Sequence, residues 1–132
     1  MLTIIVGIFF LLHGMVHLLY AGQSYRLFEL KPGLLWPDGS WLFSKLLGDE
    51  TTRLLATLLL ALTAIGFLAG GVGLFFRQDW WRMAAIFSAA LSSVLFLVLW
   101  DGKFQALDAK GGIGLLINLA ILIVVFVFKR SF

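Results

Sequence analysis

Four long apolar runs divide the chain, Leu2 to Tyr20, Leu54 to Phe76, Met83 to Trp100 and Gly112 to Phe128, and charged residues collect between them. Each run approaches the roughly 20 residues that a helix needs to cross a ~30 Å hydrocarbon core. In lipid the backbone N–H and C=O groups must be satisfied within the segment, so uninterrupted runs predict helices; a barrel would read as many short alternating strands. The pattern predicts an all-α fold: a four-helix transmembrane bundle in one domain, with helices over about 2–22, 53–76, 82–100 and 112–129.

The breaks set the topology. "RQDWWR" (77–82) is a tight charged turn with two interfacial tryptophans, and "DGKFQALDAKGG" (101–112) is a polar loop ending in glycines, so neighbouring helices run antiparallel. The first connection is longer and stays rich in Leu, Phe and Trp. Within it "PDGS" reads as a turn, and Ser40 as the cap of a short amphipathic segment over about 40–47 that Gly48 ends. Trp36, Trp41, Phe43 and Leu46 are expected in the membrane interface or over the mouth of the bundle. "FKRSF" reads as a basic stop at the headgroups.

Polar residues inside the runs carry the candidate chemistry. His13, His17, Tyr20 and Ser24 share one face of the first helix by their spacing of three and four. Counted from a helix end at Gly22, His17 lies ~7 Å and His13 ~13 Å below the long-loop side. Thr57, Ser92, Ser93 and Asn118 fall at similar depth, and Arg53, Asp101, Gln105 and Asp108 lie at the rim of the same side. The other half of each helix is nearly free of polar groups. This distribution predicts a one-sided polar pocket opening toward the long loop. Its candidates for ligand binding or proton relay are His13, His17, Tyr20, Ser92 and Asn118, with Arg53, Asp101 and Gln105 at the rim.

Each candidate also has a structural role open to it. Serine and threonine bond the carbonyl of the preceding turn, and asparagine tethers helices. An i,i+4 histidine pair is half of a metal site, but no carboxylate falls within the apolar runs to complete it, so no metal is assigned to His13 and His17. A quinone-like ligand fits the pattern more easily: its carbonyl would hydrogen-bond an imidazole and its tail would lie among Phe and Leu.

Composition narrows the class. With 61% hydrophobic and 13% charged residues and a mean hydropathy of +1.03, 132 residues hold four crossings and little else. No separate soluble catalytic domain fits. The absence of cysteine removes disulfides, thiolate metal sites and dithiol redox relays. A net charge of +3 placed at helix ends suits lipid headgroups rather than nucleic acid. The first run lacks a basic leader region and reads as a retained helix. Raw Lys/Arg counting favours the long-loop side as cytoplasmic, whereas basic residues crowded into the short segments favour the side of the termini; on the second ground both termini are expected in the cytoplasm. Gly66-x-x-x-Gly70 and the small residues of 84–93 predict close packing of helices two and three, a pattern that also suits a homodimer or a larger membrane complex.

The runs "GIFFLLHGMVHLLYAG", "LLATLLLALTAIGFLAGGVGLF" and "GGIGLLINLAIL", with the long first connection, resemble the DoxX-like superfamily of small four-helix membrane proteins. The resemblance implies the same bundle and an association, in some relatives, with quinone-linked sulfur oxidation or with membrane redox and trafficking complexes. Its pattern often carries lysine where this chain has His17.

Three functions follow, in order of preference. The first is a binding or accessory protein using an intramembrane polar pocket for a hydrophobic or quinone-like ligand. A quinone-interacting component of a redox enzyme is second, with electrons supplied from outside because nothing in the chain carries them. A proton-coupled transporter is third, since transporters favour polar groups through both leaflets.

Overall fold

The computed structural model describes residues 1–127, with the side chain of Val127 excepted. The last residues of the expected fourth helix and the basic stop lie outside them. Four long helices form the structure: α1 (Leu2–Ser24), α3 (Asp49–Phe75), α4 (Trp81–Val98) and α5 (Gly112–Val127). A short α2 (Phe43–Leu47) and a 3₁₀ turn (Leu107–Lys110) interrupt the connections. The fold is an all-α bundle. Three of its helices, α1, α3 and α4, are long and apolar enough to cross a membrane; the described part of α5 is apolar but shorter.

The boundaries move where polar chemistry intervenes. α3 starts at Asp49 rather than near 53, with Asp49 and Glu50 in its first turn, where carboxylates face the positive end of the helix dipole. Gly48, at φ 82°, separates it from α2. α1 extends two residues further, where Gln23 and Ser24 are fully buried against the loop. The amphipathic segment expected over 40–47 contracts to five residues. Its first part is pinned to the end of α4 instead: Trp41 N–H donates to Trp100 O at 2.8 Å, its indole N–H to Leu97 O at 2.7 Å, and Ser40 Oγ to Val98 O. Ser40 Oγ accepts from Phe43 N–H at 3.2 Å, but the capping position of α2 falls to Leu42, whose side chain bonds no helix N–H.

α1 packs on α3, α3 on α4 and α4 on α5, while α1 and α5 are not packed together along their length. Glycines permit the close approaches. A Cβ at Gly71 would lie 2.9 Å from the Gly7 carbonyl of α1, and one at Gly66 would strike Ser88 Oγ of α4. The small-residue faces are therefore used within the chain. Two apolar clusters result, one toward the loops (Tyr20, Trp36, Leu60, Phe96, Leu99) and one toward the other end (Phe10, Phe67, Trp81, Ile121, Val125). Between them lies a layer that is not apolar.

Candidate functional site

His13 is 4% exposed, and His17, Ser92 and Asn118 have no exposed surface. Their atoms form a closed ring. His17 Nδ1 lies 2.9 Å from the His13 carbonyl, which only accepts, so Nδ1 carries the hydrogen. In a neutral imidazole Nε2 is then an acceptor, and Ser92 O–H donates to it at 2.6 Å. Asn118 Nδ2–H donates to Ser92 Oγ at 2.8 Å. Asn118 Oδ1 accepts from His13 Nε2–H at 2.9 Å. This assignment follows from the acceptors rather than from hydrogens seen directly.

Donation runs in one direction, from His13 through Asn118, Ser92 and His17 back to the His13 backbone. Each bond polarises the next. The ring ties α1, α4 and α5 together, and α3 closes it with Phe67, whose ring centre lies 4.7 Å from that of His13 and 5.1 Å from that of His17. Unlike Ser92, Thr57, Thr63 and Ser93 bond the carbonyl four residues earlier.

The pocket expected above the histidines is filled. Tyr20 and Phe96 pack edge-on or tilted against His17, and Trp36, 1% exposed, packs on both of them. Tyr20 O–H donates to Asp108 O at 2.7 Å, joining α1 to the 3₁₀ turn. Buried Gln23 holds the loop that carries Trp36: its amide donates to Leu34 O and Trp36 O, and its Oε1 accepts from Leu30 N–H. The spacing argument did not single out Gln23, although it sits three residues past Tyr20 on the same stripe. The ring also lies deeper than expected. Counted from the helix end at Ser24 rather than Gly22, His17 and His13 lie about 10 and 16 Å along α1.

The rim residues are brought together among themselves, not with the ring. Arg53 binds both Asp38 carboxylate oxygens at 2.8 and 3.0 Å, and Arg26 reaches Asp38 at 2.9 Å. Asp101 pairs with largely buried Lys110 at 2.9 Å, and exposed Lys31 with Asp108 at 2.7 Å. The Lys31 hydrogen bond, with its charge, holds the Asp108 carboxyl below the usual range. Asp101, Gln105 and Lys110 line a water-facing cleft of about 560 Å³ whose inner wall includes Trp36. Trp36 thus separates cleft from ring.

A second opening lies toward the other end. Where α1 and α5 part below the ring, Val6, Phe9, Phe10, Trp81, Ala120 and Val124 line a wholly apolar groove of about 270 Å³. Phe9 forms its link to the ring, stacking on His13 at 5.8 Å. Among the described residues no group of three or more His, Asp or Glu side chains converges on a metal position.

The chain matches no family model, no curated protein and no solved structure. Function is read from the geometry.

Proposed function

We propose that this is a small multi-pass membrane protein of the binding or accessory kind, in which the histidine ring fixes the bundle and a hydrophobic molecule is met from the bilayer side. The observation that carries this reading is the closure of the ring. Both hydrogens it holds on imidazole nitrogens, the serine hydroxyl and one asparagine N–H are engaged inside the protein, while the opening nearest to it faces hydrocarbon. A ring whose members bond chiefly to one another stabilises a scaffold. The DoxX-like resemblance agrees with an accessory role, and the basic turn at 77–82 agrees with cytoplasmic termini.

The quinone-linked reading is kept as a second one on a single feature. His13 stacks on Phe9, so a ring-shaped headgroup entering the groove past Phe9 would meet the imidazole and take the place of Asn118 as acceptor.

One preparation tests both. Protein purified in mild detergent, with and without oxygen, is examined for visible absorption, metal content and extracted lipids and quinones. The accessory reading expects no chromophore or metal, a retained hydrophobic molecule, and lower thermal stability in His13→Ala and His17→Ala. Stoichiometric quinone, haem or metal that disappears with both replacements would overturn it.

A further inference from the structure

The groove between α1 and α5 is built rather than incidental. Above it the two helices are joined by His13 and Asn118 and, further up, by Tyr20 and the 3₁₀ turn. Beneath it Phe10 of α1 rests against Trp81 of α4, ring centres 6.0 Å apart, and Ile121 and Val125 of α5 are buried in the same cluster. The helices are held apart at this level by side chains that cannot close the gap, and an empty gap would forfeit dispersion contacts along its whole lining.

The lining restricts the occupant. It offers no polar atom, so a carbonyl or hydroxyl buried there would lose its hydrogen bonds at a cost of several kcal/mol. A slender extended hydrocarbon chain, with no polar group along its length, meets this restriction and lies along the groove of about 270 Å³. The polar end of such a molecule must lie where the groove meets the interface, beside Trp81 and the turn at 76–80. That end carries Arg77 and Arg82 against Asp79, and the Arg82 guanidinium sits 5.0 Å above the Trp81 ring that lines the groove. Charge at this mouth favours an anionic headgroup.

We infer that the groove seats one acyl chain of an anionic phospholipid drawn from the leaflet on the side of the 76–80 turn. The inference rests on the binding reading above and names its ligand. Ala120 is exposed and lines the groove, so Ala120→Trp fills it from α5, and Val124→Phe fills it more gently. Leu12, 59% exposed on α1 and absent from the lining, serves as the control position.

The full chain is exposed in detergent to dioleoyl phosphatidylglycerol, to dioleoyl phosphatidylcholine or to an isoprenoid quinone, and bound species are counted by native mass spectrometry. The expected result is one phosphatidylglycerol per chain, retained about tenfold better than phosphatidylcholine, which corresponds to about 1.4 kcal/mol. Both filling variants lose it and Leu12→Trp keeps it, with helix content by circular dichroism confirming that each is folded. Equal retention of the two lipids removes the charge argument and overturns the inference. So does retention that survives both filling variants, displacement by the quinone, or a dimer that the filling variants dissolve. If a hydrophobic molecule still copurifies while the filling variants bind normally, the groove assignment fails and the binding reading stands; if nothing is retained, both fail.

Discussion

Ser92 is the residue on which the ring turns, because it both accepts and donates. Ser92→Ala leaves the His17 Nε2 acceptor and an Asn118 N–H buried without partners. Each such group costs about 1–3 kcal/mol in general, but polar bonds between membrane helices measure nearer 0.6–1.7 kcal/mol, so a loss of about 1–3 kcal/mol is expected from reversible unfolding in detergent. Asn118→Ala breaks the same ring elsewhere, and its effect is not additive with the first: the double variant should fall short of the sum by about 0.5–3 kcal/mol. Strict additivity would mean that the four bonds act separately. The stripe of His13, His17 and Tyr20 was legible because helical spacing alone aligns them. Ser92 stood among the candidates and Ser93 did not, though spacing within α4 does not decide between them. Adjacent helical residues point about 100° apart, and which of two serines faces the axis depends on how α4 is rotated against α1 and α5. Gln23 escaped for a related reason, since its partners are loop carbonyls that no periodicity announces.

At the scale of elements, the long apolar runs located the helices to within a turn or so, because lipid leaves the backbone no alternative. The connections were less legible. The first one holds its shape through long-range bonds to the ends of α1 and α4, and Trp36 is its keystone rather than an interfacial anchor. Trp36→Ala removes the wall between the rim cleft and the Tyr20–Phe96 pair that covers His17, at a cost of about 3–5 kcal/mol if the site does not collapse. In folded Trp36→Ala a water-soluble tyrosine reagent should modify Tyr20, as read by peptide mass spectrometry, while the parent chain resists. The α1–α3 crossing gives a separate test: Gly71→Ala drives a methyl toward the Gly7 carbonyl and should lower stability by about 1–3 kcal/mol. The contact between loops one and three depends on pH. Asp108 is held below the usual carboxylate range chiefly by its hydrogen bond to Lys31, so the contact is complete above about pH 4 and is lost as pH falls through the lowered value. Lys31→Met should move the Asp108 midpoint upward in a carbon-13 titration, and an unmoved midpoint would assign the depression elsewhere.

Across the whole molecule, the bundle was legible from hydropathy and a cleft on the long-loop side from its rim residues, but the apolar groove was not. Polar residues pointed to a pocket reaching the histidines, yet packing fills the space above them and leaves a second opening where α1 and α5 part among hydrocarbon side chains. Unpaired polar groups inside a membrane are costly, and the four residues of the ring gather and close; an apolar gap carries no such penalty toward lipid and can stay open to it. Orientation decides which leaflet supplies its contents. With α1, α3 and α4 crossing in turn, the 76–80 turn and the long-loop rim lie on opposite faces. The chain has no cysteine, so a single introduced thiol is an unambiguous reporter. Arg77→Cys is placed on the exposed turn and Lys103→Cys on the exposed rim. In intact cells an impermeant maleimide should label Lys103→Cys and spare Arg77→Cys until the membrane is opened. That outcome puts Arg77 and Arg82 against the cytoplasmic leaflet, where anionic lipid concentrates. The reverse outcome would place the groove's basic mouth outside and remove the physical reason for an anionic occupant.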